Sequence, residues 1–462
     1  MVLLVVLLIA GLGVAIYRAG HASLAQMDGT IAVPGLKAPV TVVRDAQGVP
    51  HMTAANLEDL FFAQGYVTAQ DRLWQMDMTR RLVGGESAEI LPQSTGNWLQ
   101  RDRRQRILRM RVTAEKIAQQ LPERDRRFFE AYARGVNTYI EQNRGHLPLE
   151  FRVLRYAPKP WTVTDSVLVG IGMSQLLNPQ YETEYWRGKL ADQLSPELMA
   201  DLYPVGSPRD HAPGDDGTVG AQAGAAWPRD PSPRMASVVH TLRGLSADLS
   251  KDRDGCEACA AGSNNWVVSG AHTVSGKPLL ANDMHLPHGV PGIWYEVQLH
   301  SGDFNVVGFS LPGTPYVVVG HNQRIAWGFT NLNPDVQDLF VENFNAKGEY
   351  QTPKGWEKPE VDHEVIHVTG RPDIVLDVLV TRHGPVISSF FPGETRRLAL
   401  QWLVYDTKAI TIPVFDLDTA QNWEQFRAAL SRFTTPSQNV VYADVDGHIG
   451  YQAMGFVPVR AS

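Results

Sequence analysis

The apolar residues of this chain change from a helical spacing to a strand spacing across one Gly-, Pro- and Ala-rich segment, residues 207–262. In residues 56–82, before the segment, apolar side chains recur every three or four positions, which is typical of an amphipathic helix. In residues 295–300 and 304–309, after it, they alternate around a Ser-Gly-Asp turn, which is typical of paired strands. The pattern predicts an α+β fold with a mainly helical part, residues 21–206, a spacer, and a mainly β-stranded part, residues 263–462.

The same patterns predict individual elements. Asn56 is expected to cap the helix of residues 56–82, because its side chain can accept a main-chain N–H of the first turn. Further helices are predicted at residues 101–120, 124–142, 164–177 and 183–194, the third starting at Thr164-Asp165. Apart from a strand at residues 40–45, strands are expected in pairs: 266–269 with 278–281, 295–300 with 304–309, and 361–369 with 373–381.

The composition is that of a globular protein without the basic segments typical of nucleic-acid binding. Hydrophobic residues make up 44% of the 462 residues and charged residues 20%, which excludes a disordered chain. The net charge is −7, and the two signs are mixed along the sequence without a basic stripe or tail. Nucleic acid is therefore not an expected partner.

Residues 2–17 are almost wholly apolar. The run is short for a full membrane span, but it suits the hydrophobic region of a signal peptide or a tilted anchor. Residues 1–20 are therefore interpreted as a signal or membrane anchor. The protein is expected to be periplasmic or otherwise extracytoplasmic, with residues 2–17 as a candidate membrane anchor.

The Gly262-Ser263 bond closes the spacer and opens the strand-rich part. If this bond is cut, Ser263 becomes an N-terminal residue with its own nucleophile and base. The hydroxyl can attack a carbonyl, and an α-amine with a reference pKa of about 7.7–8.0 can take the proton. An ordinary loop dipeptide is the alternative interpretation of the pair alone.

Two motifs contain zinc-ligand residues, but neither pattern favours zinc. Cys256 and Cys259 form a C-x-x-C in the spacer without a second pair to complete a site. They are interpreted as an incidental pair that could close a local disulfide in an oxidising compartment. His363 and His367 lie in an H-E-x-x-H match among β-forming residues. On a strand, residues four apart are separated by about 13 Å, too far to share one ion.

Two polar segments leave alternatives open. Asp335-Val336-Gln337-Asp338 offers the hard oxygen ligands that calcium prefers, but a solvated polar turn fits the same residues. His285, in Asn282-Asp283-Met284-His285, could be a metal ligand, an acid or base, or a histidine with a structural hydrogen bond. The sequence has no G-x-S-x-G nucleophile elbow, phosphate-binding loop or dinucleotide fingerprint.

Seven segments, in order along the chain, resemble the penicillin acylase (penicillin amidase) family of N-terminal-nucleophile hydrolases. They span the chain from about residue 38 to its end. The segments are GVPH from Gly48, GYVTAQDRLWQMD from Gly65, GSNNWVV from Gly262, LANDMHL from Leu280, GHNQRIAWGFTN from Gly320, TRHGP from Thr381 and PSQNVVYAD from Pro436.

The resemblance implies a four-layer αββα sandwich and a precursor that cuts itself between Gly262 and Ser263 into α and β chains. Ser263 would be the nucleophile and, through its α-amine, the base that hydrolyses an acyl amide. His285 matches a position whose main-chain N–H supports the oxyanion, and Asn331 matches another. Leu286 and Phe329 match positions that line the acyl pocket.

The resemblance also implies a structural calcium ion and no organic cofactor. The calcium ligands would be Asp335, Gln337 through its main-chain oxygen, Asp338, and Glu184 from the α chain, with Glu182 as the alternative to Glu184. The substrates expected from the resemblance are the side-chain amides of penicillins and cephalosporins, or acyl-homoserine lactones.

One departure from the family pattern concerns the end of the chain. The family supplies an oxyanion-hole asparagine and a nearby arginine at positions beyond the equivalent of Ser462. A C-terminally truncated chain is therefore expected, which alone could be inactive. The alternative function is a membrane-tethered, non-catalytic binding protein that keeps the fold.

Overall fold

The computed structural model describes residues 2–178, 180–204 and 263–460. The chain forms two compact units, one comprising Met1–Tyr181 and Ala261–Ser462, the other Glu182–Ala260. The spacer, both cysteines and Gly262 lie outside the described residues. Within the part of the chain that is described, no helix is both long enough and apolar enough to cross a membrane.

The helices lie mainly before the spacer. They are α1 (Val2–Ala22), α2 (Leu57–Gly84), α3 (Trp98–Ile107), α4 (Met110–Gln120), α5 (Glu123–Gln142), α6 (Leu149–Leu154), α7 (Val163–Leu177), α8 (Gln180–Ala191), α9 (Pro196–Leu202), α10 (Val414–Thr419) and α11 (Trp423–Leu430).

The strands lie mainly after the spacer. They are β1 (Thr41–Arg44), β2 (Pro50–Thr53), β3 (Asn264–Val268), β4 (Leu279–Asp283), β5 (Tyr295–Ser301), β6 (Phe304–Ser310), β7 (Val319–Asn322), β8 (Ile325–Asn331), β9 (Gln337–Glu342), β10 (Tyr350–Thr352), β11 (Gly355–Glu357), β12 (Glu360–Ile366), β13 (Ile374–Thr381), β14 (Gly384–Pro385), β15 (Arg397–Trp402), β16 (Gln438–Asp444) and β17 (Ile449–Met454).

The spacing of the apolar residues located the helices α2 to α5, α7 and α8 and the strands β1, β3 to β6, β12 and β13. The Asn56 side chain accepts the Asp59 N–H at 2.9 Å, so the predicted cap of α2 is confirmed. The three predicted strand pairs are the antiparallel pairs β3–β4, β5–β6 and β12–β13. The α+β fold class is confirmed.

Two helix boundaries differ from the prediction. The expected helix at residues 101–120 is two helices, because Arg109 has a left-handed backbone (φ 55°) and ends the first of them. At this break Nε of Arg109 lies 2.5 Å from Oδ2 of Asp362 on β12. The spacing of apolar residues carries no information about a contact between residues this far apart in the sequence. The cap of α7 is Thr162 rather than Thr164-Asp165, and Asp165 completes a capping box with it.

The main sheet joins strands from both sides of the spacer. Its order is β1-β2-β5-β6-β7-β8-β16-β17. β2 pairs in parallel with β5, whereas the neighbouring strands in the rest of this sheet pair antiparallel. The hairpin β1–β2 of the helical part therefore extends a sheet that is otherwise built from the strand-rich part.

The sheet lies between helices and the hairpin β3–β4. Consecutive residues of β8 face opposite sides. Trp327 packs 6.1 Å from Phe426 of α11 on one side, measured between ring centroids. On the other side, a Cβ added to Gly328 would lie 2.7 Å from the Cβ of Asn282 on β4. Helices, sheet and hairpin thus form successive layers.

Helices α2 and α5 touch through their main chains. A Cβ on Gly65 would lie 2.1 Å from the Tyr132 carbonyl oxygen, and one on Gly135 would lie 1.9 Å from that of Phe62. Only glycine fits at these two positions. Because α2 and α5 approach so closely, side chains from both helices pack into one hydrophobic core. Its buried members include Phe62, Tyr66, Leu73, Met76, Tyr132, Val136, Tyr139 and Trp161.

A buried ionic cluster fixes the end of α2. Asp77, with a side chain only 1% exposed, accepts hydrogen bonds from Arg80, Arg81 and the Tyr156 hydroxyl. Burial by itself would raise the pKa of Asp77, but the two guanidinium groups and the hydroxyl hold that pKa below its usual value. Arg80 also reaches Asp165 of α7 at 3.2 Å, so the cluster ties α2 to α7.

The second unit, Glu182–Ala260, is described from Glu182 to Pro204. Its helix α9 is capped by Ser195, whose hydroxyl accepts the Leu198 N–H at 3.4 Å. The Arg187 guanidinium lies 5.2 Å from the ring centroid of Tyr203, and Lys189 lies 5.7 Å from that of Tyr185.

We expect Asp77→Ala to lower the free energy of unfolding by about 3–5 kcal/mol, because it leaves two buried guanidinium groups without their shared carboxylate. Denaturant unfolding followed by near-UV circular dichroism measures the loss. Glu141→Ala, which removes an exposed partner of Arg144, is the matched control and should change nothing measurable.

Acidification supplies a second readout for the Asp77 cluster. Because the pKa of Asp77 is lower in the folded than in the unfolded state, its contribution to stability is complete above the unfolded pKa of about 3.9. The contribution disappears as the pH falls through the lowered folded pKa. If wild type and Asp77→Ala lose stability in parallel over this range, the cluster does not stabilise the fold as described.

Candidate active site

Ser263 lies directly before β3 and beside the segment that leaves β4. In the β3–β4 pair, Asn264 is opposite Asp283, so the chain on either side of this pair brings Ser263 near His285. The main-chain N–H of His285 donates to the Ser263 Oγ at 3.1 Å. Ser263 is half-buried, and a fixed donor therefore holds the oxygen that the sequence predicts to be the nucleophile.

Two asparagines fasten this hairpin to the main sheet. Asn282 accepts the Phe329 N–H at 2.9 Å through Oδ1 and donates to the Phe329 carbonyl at 2.8 Å. Asn265 donates to the carbonyl oxygens of Gly328 and Asn439, on β8 and β16. Asn265 lies in the segment GSNNWVV and Asn282 in LANDMHL, but neither sequence pattern by itself indicates this anchoring role.

Asn331 is the last residue of β8, and its main-chain N–H lies on the side of the strand away from β16. The Leu332 N–H donates to Ser437 on the β16 side, so the N–H of Asn331 points the other way, like that of Phe329. The Asn331 side chain is engaged elsewhere, because it donates to the Leu177 carbonyl at 2.9 Å. The Asn331 amide side chain is therefore engaged with protein groups, and the predicted role as a donor refers to the main-chain N–H.

The imidazole of His285 faces a carboxylate. Its Nε2 lies 3.0 Å from Oδ2 of Asp283, which is exposed. Of the alternatives for His285, this contact matches a structural hydrogen bond that fixes the ring. The described residues hold no group of three or more His, Cys, Asp or Glu side chains that could bind a metal ion.

A mainly apolar cavity of about 170 Å³ opens beside Ser263. The two predicted pocket residues, Leu286 and Phe329, line it together with Ser263, and α7 contributes Met173 and Leu177. An engineered apolar cavity of about 150 Å³ binds benzene, so this one can hold an acyl group of similar size. The structure thus brings Ser263, His285, Asn331, Leu286 and Phe329 to one place.

Two of the predicted calcium ligands, Asp335 and Asp338, contact the same arginine. Arg460 Nε lies 2.9 Å from Oδ1 of Asp338, and its Nη2 lies 3.4 Å from Oδ2 of Asp335. The two carboxylates therefore converge on one positive group, which fits a cation. The Gln337 side chain accepts the N–H groups of Gln180 and Tyr181, at 2.9 Å each. Glu184 and Glu182 lie on α8.

The H-E-x-x-H match lies on a strand, as expected. His363 and Glu364 are in β12, and His367 follows directly after its end. The two histidines have separate carboxylate partners, since His363 pairs with Asp377 and His367 with Asp373. Glu364 pairs with Arg106 of α3 at 2.6 Å. These residues therefore connect β12 with its neighbours.

A sequence model of the family described as penicillin amidase matches residues 39–462. The chain belongs to the penicillin amidase family. The family expected from the seven segments is therefore confirmed.

Several proteins are similar to this penicillin amidase family member. Acyl-homoserine lactone acylase QuiP of Pseudomonas aeruginosa is 32% identical over 454 residues, which cover 95% of this chain and 52% of the relative. Penicillin acylase 2 proenzyme of Pseudomonas sp. strain SE83 is 31% identical over 460 residues, covering 95% and 55%. The chain thus spans about half the length of the curated relatives it matches.

A solved structure from the family also matches part of the chain. Thermostable penicillin G acylase of Alcaligenes faecalis, in an orthorhombic form, is 28% identical with a TM-score of 0.39. The match covers 42% of this chain and 35% of that one.

We expect Asn282→Ala to loosen the β3–β4 hairpin, because the main-chain N–H and C=O of Phe329 lose their partners. Hydrogen–deuterium exchange should become about tenfold faster or more in residues 264–283 and at Phe329, since an unmade buried hydrogen bond costs about 1–3 kcal/mol.

Asn343→Ala, which removes an exposed asparagine beyond β9, is the matched control and should leave that exchange unchanged. Equal exchange of the hairpin in Asn282→Ala and wild type would show that the asparagine does not hold the hairpin.

Proposed function

We propose that this chain carries the nucleophile and acyl-binding part of an amidohydrolase that acts through Ser263 after cleavage of the Gly262-Ser263 bond. The observation that carries the proposal is the hydrogen bond from the His285 N–H to the Ser263 Oγ, beside an apolar cavity. Family membership supports the same chemistry, because the names of the relatives are acylase names.

The proposed reaction has two steps. In the first, the α-amine of Ser263 takes the hydroxyl proton, Oγ bonds to the amide carbonyl carbon, and the C–N bond breaks as the amine leaves with a proton. In the second, water attacks the ester, releases the carboxylic acid and restores the hydroxyl. The base and the nucleophile are on one residue, so no other side chain is required for the proton transfer.

Fixed main-chain donors would stabilise the charges that develop. The His285 N–H holds Oγ before the attack, and the main-chain N–H groups of His285 and Asn331 are the donors that we propose for the oxyanion formed from the carbonyl oxygen. Donors that are already oriented need no reorganisation during the reaction. The His285 ring would not stabilise these charges, because its Nε2 faces the Asp283 carboxylate.

The substrate would be an amide with an apolar acyl group of moderate size. The cavity volume of about 170 Å³ suits a phenyl ring or a short alkyl chain. Acyl-homoserine lactones and the side-chain amides of β-lactams both contain such an acyl amide, and both types occur in the names of relatives.

We also propose a structural calcium ion at Asp335, Asp338 and the main-chain oxygen of Gln337. The support is the convergence of the two carboxylates on the Arg460 guanidinium. Calcium would bring two positive charges to the same carboxylates and order the start of β9. Export is proposed from the apolar residues 2–17.

Mass spectrometry of the purified protein tests the cleavage. Wild type should give a fragment that begins at Ser263, whereas Ser263→Ala should stay a single chain, because it lacks the nucleophile. Ser263→Cys keeps a nucleophile and should still be cut. An uncut wild-type chain that hydrolyses amides would contradict the mechanism, and ligand binding without turnover would favour the non-catalytic alternative.

A panel of acyl amides tests the cavity. We expect kcat/KM to be higher for phenylacetyl and hexanoyl than for dodecanoyl amides, and Phe329→Ala to shift the ratio at least about tenfold toward dodecanoyl by enlarging the cavity. Phe309→Ala, on β6 and outside the cavity lining, is the control. The same ratio in all three proteins would rule out this cavity as the acyl site.

Calorimetric titration with calcium tests the ion site. Asp338→Asn should weaken binding about tenfold or more, because it removes a charged ligand, and Arg460→Ala should strengthen it by removing a competing cation. Asp303→Asn, in the exposed turn between β5 and β6, is the control. Equal affinity of wild type and Asp338→Asn would disprove the assignment.

A further inference from the structure

One wall of the cavity, residues 311–319, is held by buried side chains from distant parts of the chain. This segment contributes Leu311, Thr314, Pro315, Tyr316, Val318 and Val319 to the lining that also includes Ser263. It connects β6 to β7, and loops of this kind are usually the most variable part of a site.

Tyr316 has a backbone conformation that its residue type disfavours. Its φ is 80°, in the left-handed region that glycine adopts readily and bulky residues rarely adopt. Such conformations persist only where the surroundings enforce them, and they are concentrated at functional sites. Tyr316 is also 1% exposed, so it cannot relax outward without unpacking its ring.

Gln64 enforces this conformation from α2. Its Oε1 accepts the Tyr316 N–H and its Nε2 donates to the Tyr316 carbonyl, both at 3.1 Å. Gln64 is fully buried, and the two residues are 252 positions apart. One amide side chain therefore satisfies both main-chain groups of one strained residue.

Three further buried side chains hold the same wall. The Tyr132 hydroxyl accepts the Gly313 N–H at 3.0 Å, and Asp125 accepts the Tyr316 hydroxyl at 3.2 Å. Asp418 of α10 accepts the Val317 N–H at 3.2 Å. Gln64, Tyr132 and Asp125 all lie before the spacer, so the helical part shapes a wall that belongs to the strand-rich part.

We propose that Gln64 is a positioning residue that sets the size of the acyl cavity by holding Tyr316 in its left-handed conformation. The inference rests on the proposed function in that it takes this cavity as the acyl site. Without the amide, both main-chain groups of Tyr316 lose their partner. The backbone then returns to a negative φ, and the wall moves away from the cavity.

Gln64→Leu in the complete protein tests the proposal. Binding of hexanoate and dodecanoate is measured by calorimetry, which needs no turnover, and hydrolysis of the corresponding amides is measured in parallel. We expect the affinity ratio to shift about tenfold toward dodecanoate, with a change of similar size in KM and a smaller one in kcat. A crystal structure of the variant should show Tyr316 at a negative φ.

Two other variants keep the result interpretable. Gln64→Glu retains the acceptor for the Tyr316 N–H but loses the donor to its carbonyl, so it should show an intermediate shift, and it replaces Gln64→Leu if that protein does not fold. Gln105→Leu removes a buried glutamine of α3 outside the cavity lining and should lower stability without changing the ratio.

The possible outcomes separate the two proposals. An unchanged affinity ratio, or a left-handed Tyr316 in the Gln64→Leu structure, overturns the role of Gln64. A shifted affinity ratio without amide turnover by wild type supports Gln64 but refutes the proposed hydrolysis. Failure of wild type to bind either acid overturns the assignment of the cavity and with it the role of Gln64.

Discussion

The geometry at Ser263 depends on how the β3–β4 hairpin is attached to the main sheet. The Asn282 side chain pairs with both main-chain groups of Phe329, as a neighbouring strand would, and Asn265 bonds to carbonyls on two strands. These contacts fix the distance between the hairpin and β8. They therefore also fix Ser263 relative to the Asn331 N–H and the cavity beside Phe329.

The helical part contributes to the same site by a different route. Main-chain contact at Gly65 and Gly135 locks α2 against α5, and the Asp77 cluster joins α2 to α7, which lines the cavity. Gln64 extends from this rigid pair of helices to Tyr316. Ser263 and the walls of the cavity beside it thus come from separate regions of the sequence.

Local patterns in the sequence were sufficient for the helices and strands that are regular over many residues. The spacing in α2 and the alternation in β5 and β6 need only neighbouring residues. The family segments placed Ser263, His285 and Leu286 together. The break between α3 and α4 was not predictable from local sequence. It occurs at Arg109, which pairs with Asp362 on a strand more than two hundred positions away.

The contacts that position the site were also not predictable from local sequence. No nearby residue indicates a left-handed tyrosine at position 316, since the cause is a glutamine on α2. The asparagines of the hairpin look like loop residues until β8 and β16 are placed against them. In both cases a side chain takes the place of a main-chain hydrogen-bond partner. Such a contact joins residues that are distant in the sequence, so it is visible only in the folded structure.

The parallel pairing of β2 with β5 has a consequence for the history of the molecule. One continuous chain can align these strands as it folds, because the residues between them hold the ends together. Cleavage at Ser263 would remove that connection and leave the hydrogen bonds as they are. A cleaved protein that later unfolded would have to find its other half by diffusion, so its recovery would depend on concentration. The uncut chain would therefore fold more readily than the two separate pieces. After cleavage, a protein that unfolds would refold only with difficulty.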